Sequence, residues 1–487
     1  MLLLTVRVGV IRLNPCNPWT AGSFNPKNEN GPASMTTTSR PLTLPPTTHV
    51  PRPYTGPSRD EVLAQRKQFT NPAIFTLYQS PLMIVEGHGQ YVWDETGRRY
   101  LDCFAGIVTL SCGHSHPKVV ARVREQLEQL QHTTTIYLHP NFPALAKALA
   151  ERMPPGLNVT YFVNSGSEAN DLAVTLARIY TGNIDVIALR NGYHGGTPGA
   201  MGLTSHHTWK YNVEYGGRVH HAINPDPYRS PFSGTPEEIA SKSVDDLREV
   251  IRFSTPGRIA AFIAEPIGGV GGVTCGAANY LREAYLVARE YGGLCIADEV
   301  QTGFGRTGHH YWGFQNWDVV PDIVTMAKSI GNGFPLAAVT TRMEIAQAMT
   351  QRLHLNTFGG NPISCAAGLA VLEVIDEEQL QENARRQGAR LKEGLRELMT
   401  RHRLIGDVRG MGLMLGVELV EDRDTRVPAR VATTAVLEAA KELGLLVGRG
   451  GLDGNVLRIK PPLCITADDV DYALDVLDRA LDSAERG

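Results

Sequence analysis

The stretch Cys295–Gly308, CIADEVQTGFGRTG, decides which kind of fold this sequence encodes. Its apolar start is typical of a buried strand, and that strand runs into two acids, Asp298 and Glu299. The glycines that follow complete a GxGxxG pattern, which marks a dinucleotide-binding turn only when it follows a strand directly and opens a helix. Here the two acids, a valine and Gln301 intervene, and the HHYWGFQNW beyond lacks a helical period. The acids are therefore predicted to carry the chemistry, and the glycines to shape the loop behind them.

Length and composition set the outer limits. At 487 residues, the chain is long enough for two or three domains around large cores. A formal net charge of −3 and a pI near 6.6 leave no electrostatic footprint for nucleic acid or an anionic membrane, and no run of 18 apolar residues exists. The seven cysteines are scattered and form no CxxC, which argues against disulfides and zinc and favours a reducing compartment. We therefore expect a cytoplasmic protein that binds no metal, nucleic acid or membrane.

Residues 1–34 differ in character from the rest of the chain. They are short, apolar and basic, with no acid before Glu29, as in a mitochondrial presequence. The alternative is that the natural start is Met35, which a Thr/Pro-rich arm follows. Either way, we expect residues 1–50 to form a disordered or targeting arm. A presequence would place the protein in the mitochondrial matrix instead of the cytoplasm.

Beyond the arm, apolar runs alternate with helical patterns. Residues 51–112 contain short strands and are predicted to begin a small domain. Residues 113–361 are predicted to form a large domain, with strands at 158–163, 185–190, 258–265, 293–299, 322–327 and 335–341. Short, almost wholly apolar strands that alternate with helices indicate an α/β fold with a mostly parallel sheet, covered by helices on both faces. Residues 362–487 turn helical and then mixed, and are predicted to complete a small α+β domain built from both chain ends.

Polar residues follow several of the predicted strands at the sheet edge where α/β proteins bind ligands. NSGSEAN (164–170) is a Ser/Gly turn that opens a helix, and such a turn suits a phosphate group. Simple helix capping by Ser165 or Ser167 explains the same pattern equally well. Tyr193 lies between glycines in NGYHGG, where it could lay a flat ring against a ligand or be an ordinary loop aromatic.

Two further strands end on charged residues. Asp298 ends one apolar strand and Lys328 follows another, although charged groups are seldom buried without a partner. Together with a phosphate-binding turn and an aromatic ring, they are the parts that hold pyridoxal phosphate, which needs a Schiff-base lysine and an acid against its ring nitrogen. Desolvation lowers the pKa of a lysine and favours a nucleophilic amine. The alternative is that Asp298 and Lys328 merely form a buried ion pair.

Seven segments around these residues resemble the class III (ω-type) pyridoxal-phosphate aminotransferases of fold type I. They are GHSHPKV (113–119), NSGSEAN (164–170), GYHG (192–195), AEPI (264–267), IADEVQTGFGRTG (296–308), MAKSIGNGFP (326–335) and TFGGNP (357–362). The resemblance extends from about Asn71 to the C-terminus. It implies an aminotransferase that uses pyridoxal 5′-phosphate and has the fold type I architecture.

The resemblance also implies a role for each matching residue. Lys328 would form the Schiff base and shuttle protons, and Asp298 would pair with the ring nitrogen. Gln301 would bind the ring oxygen, and Tyr193 would stack on the ring. The other residues expected at the cofactor are Ser165, Gly166, Ser167, His194, Glu265 and Thr357.

In the family, the residue matching Thr357 reaches the phosphate from the partner subunit. The resemblance therefore implies a homodimer, and leaves open whether dimers assemble further into tetramers. Arg458 in VLRIKPP matches the arginine that binds the substrate α-carboxylate, for which a bidentate guanidinium is well suited. The alternative is a surface arginine on an edge strand.

The loop after AEPI separates subfamilies. Ornithine and γ-aminobutyrate transaminases carry an acid there that pairs with the carboxylate-binding arginine, whereas this sequence has Val270. Without that acid, Arg458 should stay available for small α-carboxylate substrates. The loop with Val270 and the segment GDVRGMGLMLGVELV (406–420) are most similar to those of mitochondrial-type alanine–glyoxylate aminotransferases. That subfamily also handles β-amino acids with pyruvate or glyoxylate. The alternatives are another ω-amino acid aminotransferase, or a phospho-lyase acting on a phosphorylated amino alcohol with the same cofactor.

Overall fold

The structure is a computed structural model, and it describes residues 42–277 and 279–486. Most of the predicted arm, including both candidate starts, lies outside the described residues. The end of the arm, residues 42–50, is packed on the body of the protein. Leu42 and Leu44 contact the hydrophobic core, and His49 Nε2 lies 2.7 Å from Glu86 Oε1. The disorder predicted for residues 1–50 therefore does not extend to residues 42–50.

Helices and strands alternate through the middle of the chain, as predicted. The helices are α1 (Arg59–Phe69), α2 (Ala105–Val108, a single turn), α3 (Pro117–Gln129), α4 (Asn141–Ala150), α5 (Gly166–Thr181), α6 (Pro198–Leu203), α7 (Pro236–Ser254), α8 (Tyr280–Glu290), α9 (Met343–Gln347), α10 (Pro362–Glu377), α11 (Leu380–Arg401), α12 (Arg430–Glu442) and α13 (Ala467–Arg486). The strands are β1 (Ile84–His88), β2 (Tyr91–Asp94), β3 (Arg99–Asp102), β4 (Val159–Val163), β5 (Val186–Leu189), β6 (Val219–Ala222), β7 (Ala261–Ala264), β8 (Leu294–Asp298), β9 (Ile323–Met326), β10 (Ala337–Thr341), β11 (Ile405–Met411), β12 (Met414–Leu419), β13 (Leu445–Leu446), β14 (Gly448–Gly450) and β15 (Val456–Ile459).

The central sheet has seven strands in the order β4-β10-β9-β8-β7-β5-β6. All neighbouring pairs are parallel except those of β10, which runs antiparallel to both β4 and β9. Only ten residues separate Met326 from Ala337, which is too short for the crossover that a parallel pair needs. The mostly parallel sheet predicted from the sequence is confirmed.

Helices cover both faces of this sheet, because successive residues of a strand point to opposite sides. Ala261 and Ile263 of β7 pack in one core cluster with α5. Phe262 and Ala264 of the same strand pack in a second cluster with α8. The two-layer covering explains why the strands contain so few polar residues before their carboxyl ends.

Two smaller sheets flank the central one. One has the order β1-β2-β3-β13, in which β13 from the C-terminal part pairs in parallel with β3 from the N-terminal part. The other is antiparallel, in the order β11-β12-β15-β14. The two ends of the chain therefore share a sheet, and the domain boundaries drawn from the sequence remain a prediction. Among the described residues, no helix is long and apolar enough to cross a membrane.

Candidate active site

The carboxyl ends of the parallel strands bring the predicted site residues to one edge of the central sheet. Asp298 is the last residue of β8, and Glu265 comes directly after β7. Lys328 follows β9 by two residues, and Tyr193 and His194 lie in the loop after β5. The helix α5 begins at this edge, directly after β4.

Asp298 lies at the centre of a buried hydrogen-bond network. Its Oδ2 accepts from His194 Nδ1 at 2.7 Å and from Asn170 Nδ2 at 2.8 Å, while Oδ1 accepts from Val300 N at 3.1 Å. Asn170 is fixed in turn, because its Oδ1 accepts from Thr325 Oγ1 at 2.7 Å. A buried carboxylate needs such donors to remain charged. The network therefore holds one negative charge in a defined place at the sheet edge.

His194 shares this burial. Burial by itself lowers the pKa of His194, but the hydrogen bond and negative charge of Asp298 outweigh it and raise the pKa above its usual range. Its other ring nitrogen, Nε2, is buried and has no hydrogen-bond partner in the part of the chain that the structure describes. The hydrogen bond from His194 thus holds the Asp298 carboxylate in position.

Lys328 lies near this network but forms no ion pair with it. It is partly buried, and its backbone has φ +50°, a left-handed conformation that costs a non-glycine residue free energy. Within residues 42–277 and 279–486, Lys328 Nζ forms no ion pair, so the alternative of a simple Asp298–Lys328 salt bridge is wrong. Burial lowers the pKa of Lys328 despite the opposing negative charges of Asp298 and Glu265. The site therefore holds a lysine amine that is easily deprotonated and free to react.

Glu265 ties two loops of the site together. Its Oε1 accepts from Tyr193 N at 3.1 Å, and its Oε2 accepts from Gly269 N at 2.7 Å. Burial is the main cause that raises the pKa of Glu265, and Asp298 adds to it while His194 opposes it. The ring of Tyr193 meets Trp209 edge to face, with centroids 5.3 Å apart. This contact fixes the ring of Tyr193 beside the other site residues.

The turn before α5 uses its two serines differently. Ser165 is the N-cap, and its Oγ accepts from Glu168 N at 3.2 Å, as the capping alternative required. Ser167 Oγ accepts from Gly196 N at 3.0 Å. A Cβ on Gly195 would come within 2.3 Å of that same Oγ, so the loop can approach the helix only with glycine there. The predicted phosphate contacts of Ser165, Gly166 and Ser167 remain predictions, at the positively polarised end of a helix.

Arg458 is buried on an interior strand. On β15 it lies between Gly416 of β12 and Gly448 of β14, so the alternative of a surface arginine on an edge strand is wrong. Its guanidinium carbon lies 5.0 Å from the centroid of the Phe104 ring. Burial lowers the pKa of Arg458 to about 10, opposed by the charge of Glu265. Arg458 Nε and Nη1 are buried without a hydrogen-bond partner among the described residues.

Thr357 lies in the loop before α10. It is exposed, in a loop with the exposed apolar residues Leu353, Leu355 and Phe358. The preceding residue, Asn356, joins this loop to the start of α5, because its Oδ1 accepts from Asn164 Nδ2 at 2.9 Å and its Nδ2 donates to Glu168 Oε2 at 3.0 Å. The predicted phosphate contact of Thr357 remains a prediction.

Sequence reasoning missed three residues that shape the site. Asn170 was quoted within its motif, but its hydrogen bond to Asp298 joins residues 128 positions apart. Phe104 lies under Arg458, and nothing in its local sequence indicates this. Lys460 donates to Gln301 Oε1 at 3.0 Å and is fully buried. Its position two residues after Arg458, on the same side of an extended segment, is the one signal that could have found it.

The donor set fits pyridoxal phosphate. The buried, hydrogen-bonded Asp298 carboxylate matches a protonated ring nitrogen, and the unpaired Lys328 amine matches the aldehyde. The unsatisfied N–H groups of Arg458 match a carboxylate. Fold and site together define a pyridoxal-phosphate enzyme of fold type I.

Comparison with known proteins identifies the family. The chain belongs to the class III aminotransferases, whose family model, Aminotransferase class-III, matches residues 76–481. Members of this family are aminotransferases that depend on pyridoxal phosphate, and they act on amino acids and keto acids.

Curated relatives and solved structures agree with this assignment. The chain is 53% identical to the Arabidopsis thaliana protein named alanine–glyoxylate aminotransferase 2 homolog 2, mitochondrial, over 90% of this chain and 91% of that protein. It is 44% identical to the Homo sapiens alanine–glyoxylate aminotransferase 2, mitochondrial, over 90% of this chain and 89% of that protein. A Bacillus anthracis aminotransferase superposes with a TM-score of 0.82 at 34% identity, covering 87% of this chain and 98% of that one. An Arthrobacter phospholyase in complex with phosphoethanolamine superposes with a TM-score of 0.81 at 33% identity, covering 87% of this chain and 99% of that one.

Proposed function

We propose that this chain transfers the amino group of alanine, or of a small β-amino acid, to glyoxylate or pyruvate. The observation that carries the proposal is the buried guanidinium of Arg458, whose Nε and Nη1 have no partner among the described residues. Unpaired buried donors are costly, and a substrate carboxylate would satisfy them. Val270, in place of an acid, leaves that guanidinium without a competing carboxylate in its loop. The relatives named for alanine and glyoxylate support the same substrates.

Each site residue has a proposed part in the reaction. When bound, pyridoxal phosphate supplies an electron sink for the electrons left behind when the substrate loses its α-proton. Lys328 Nζ takes that proton and returns it, because burial lowers the pKa of this amine and makes it a better base at neutral pH. Asp298 holds a proton on the ring nitrogen through its fixed negative charge. Arg458 orients the substrate by its carboxylate, with Phe104 beneath the guanidinium.

The remaining cofactor contacts are proposed from the family pattern and are consistent with the geometry. Gln301 binds the ring oxygen, and Tyr193 lies on the ring face, steadied by Trp209. The phosphate is held at the start of α5 by Ser165, Gly166 and Ser167. His194 and Glu265 support the site by holding Asp298 and the loop of Tyr193.

We also propose that the enzyme works as a homodimer in which Thr357 completes the site of the partner subunit. Thr357 and its apolar neighbours Leu355 and Phe358 are exposed in the single chain. Ile136, Tyr137 and Leu138 add further exposed apolar surface. Exposed apolar side chains in such numbers indicate a protein–protein contact surface. Whether dimers pair into tetramers remains a prediction.

The location in the cell is likewise proposed. The names of the plant and human relatives favour the mitochondrial alternative over the cytoplasmic expectation. The segment that would carry a presequence, residues 1–34, lies outside the described residues. A fusion of residues 1–50 to a fluorescent protein, imaged in the source cells, tests the choice directly.

A second activity, phospho-lyase, is favoured by one observation. A solved phospholyase bound to phosphoethanolamine has 33% identity and the same fold. Such an enzyme needs additional cations for the substrate phosphate. Arg306 donates through Nη1 to Leu413 O, and Lys460 donates to Gly269 O, while Arg306 Nε and Nη2 have no partner among the described residues. The relatives named for alanine and glyoxylate are 53% and 44% identical to this chain, against 33% for the phospholyase. We therefore rank transamination first.

One experiment separates these functions. The purified holoenzyme is assayed with alanine, 3-aminoisobutyrate, ornithine and γ-aminobutyrate against glyoxylate, pyruvate and 2-oxoglutarate. Phosphate release from phosphoethanolamine is measured in parallel. Alanine with glyoxylate or pyruvate should give the highest kcat/KM. Phosphate release without transamination would establish the lyase instead.

A further inference from the structure

Lys460 is a second buried lysine at the site, and it follows β15 directly. Its side chain is fully buried. Its Nζ lies 3.0 Å from Gln301 Oε1 and 3.3 Å from Gly269 O. Both partners are oxygen acceptors, so Lys460 donates to both, and an amine has enough N–H groups for this in either protonation state.

This contact decides which way the Gln301 amide is turned. The side-chain amide has an acceptor end and a donor end, and the hydrogen-bond partners around it determine which end lies where. Lys460 occupies the acceptor end. Gln301 Nε2 has no hydrogen-bond partner among the described residues, so its N–H groups are free to donate to a ligand.

The neighbouring glycine fixes the amide further. A Cβ on Gly269 would lie within 2.1 Å of Gln301 Nε2, so the amide packs flat against the Gly269 backbone. The same residue donates its N–H to Glu265 Oε2 at 2.7 Å and accepts from Lys460 through its carbonyl. Lys460, Gly269 and Gln301 therefore form one closed arrangement. A reversed amide would lose the Lys460 hydrogen bond and turn an oxygen towards the ligand.

We propose that Lys460 is a positioning residue that locks the Gln301 amide with its N–H groups available to the ring oxygen of pyridoxal phosphate. The inference rests on the proposed role of Gln301 at that ring oxygen. A donor that is already fixed in place contributes more to cofactor affinity than one that rotates freely, because no conformational entropy is lost when the cofactor binds. Lys460 itself does not need to touch the cofactor for this effect.

The test compares cofactor binding with and without the ring oxygen. Apo protein is titrated with pyridoxal phosphate and with its 3-deoxy analogue, and the ratio of the two affinities is measured. Lys460→Met should reduce the preference for pyridoxal phosphate by about 3- to 10-fold, the range for one net hydrogen bond. Gln301→Met should reduce it equally, and the double variant should fall no further than Gln301→Met alone.

Two controls keep the outcome specific. Lys441 is also buried, and it is paired with Glu438 near the peptide of Ser80, so Lys441→Met should leave the preference unchanged. Melting temperatures of the apo variants establish that they are folded. If Lys460→Met does not fold, Lys460→Ala is used instead, since the smaller side chain leaves room for water. The same reduction in the preference for pyridoxal phosphate is expected.

The outcomes distinguish this inference from the proposed function. A Lys460 variant that keeps the wild-type preference, in an enzyme that binds pyridoxal phosphate, overturns the role of Lys460 alone. An additive double variant also overturns it, because the two residues would then act separately. A wild-type protein that takes up no pyridoxal phosphate overturns both.

Discussion

His194 Nδ1 lies 2.7 Å from Asp298 Oδ2, and the two side chains are buried together at the end of β8. Asn170 donates to the same oxygen, so the carboxylate has its donors without any help from Lys328. A carboxylate that accepts several hydrogen bonds stays charged inside a protein. Asp298 can therefore offer a negative charge to a ring nitrogen while Lys328 remains free to react.

Asp298→Asn tests whether the negative charge of Asp298 is needed at the ring nitrogen. The amide has nearly the same size but no charge, so the ring nitrogen would lose the partner that keeps it protonated. We expect kcat to fall by about 100-fold or more, within the range found for groups that assist proton transfer. The matched control is Asp469→Asn, because Asp469 is equally buried but bonds Tyr91 and Gln90 elsewhere in the fold. An unchanged kcat in Asp298→Asn would contradict the charge role.

The same pair predicts a pH-dependent stability. Burial opposes protonation of His194, but Asp298 raises its pKa above the ordinary value. A group with a raised folded pKa adds stability below its unfolded pKa, about 6.5 for histidine, and that stability is lost as the pH rises through the folded pKa. His194→Gln should therefore lower the melting temperature most at pH 6, and the difference from wild type should shrink towards pH 9. A difference that grows with pH would show that His194 is neutral in the folded protein.

The sequence predicted the parts of this protein that local patterns determine. The strands β5, β7, β8 and β9 are continuous apolar runs, and their ends locate Asp298 and Lys328. The strand β6 was missed because its sequence, VHHA, is short, polar in the middle and at the edge of the sheet. The helix α7 beyond it was missed as well.

Contacts between distant residues were out of reach of local reasoning. Asn170 meets Asp298 across 128 positions, and Lys460 meets Gln301 across 159. Only the pairing of strands and loops in space brings such residues together. The hydrogen bonding of Asp298 by His194 and Asn170, rather than by Lys328, is a result of the same kind.

A mixing experiment tests the shared site. Lys328→Ala should be inactive yet stable, because Lys328 Nζ holds no ion pair among the described residues whose loss would weaken the fold. Thr357→Arg should be inactive if Thr357 reaches the partner's phosphate site. In a mixed dimer, the Thr357→Arg subunit keeps its own Lys328 and receives an intact Thr357. Equal mixing with free exchange should restore about a quarter of wild-type sites, since half the dimers are mixed and each has one intact site.

The control mixture combines Lys328→Ala with Asp298→Asn. Both residues belong to the same chain's sheet edge, so neither site of a mixed dimer is complete and activity should stay low. Exchange is verified by native mass spectrometry of differently tagged subunits. Recovery in the control, or none in the test mixture, would contradict a Thr357 that acts across the interface.

Removal of Arg458 tests the substrate assignment. Two of its nitrogens are buried without a partner among the described residues, so an incoming carboxylate gains charge-assisted hydrogen bonds there. Arg458→Ala should raise the KM for alanine by about 10- to 100-fold, on the scale of one such bond to a charged group. An amine without a carboxylate, such as 1-phenylethylamine, should be affected much less. Equal losses for both donors would indicate damage to the site rather than loss of carboxylate binding.

Val270→Glu makes the complementary change without touching Arg458. A Cβ on Gly450 would lie 2.7 Å from Arg458 Nε and 3.1 Å from Val270 O, so the Val270 backbone and the Arg458 guanidinium border the same glycine. At this separation we expect a glutamate at position 270 to pair with the guanidinium. Pairing with that glutamate would occupy the N–H groups that a substrate carboxylate needs. We expect the KM for alanine to rise, and the kcat/KM ratio of alanine to ornithine to fall by about tenfold, equivalent to about 1.4 kcal/mol. Val270→Gln, similar in size but uncharged, should change the ratio much less. A wild-type ratio in Val270→Glu would show that Arg458 does not set the preference for small α-carboxylate substrates.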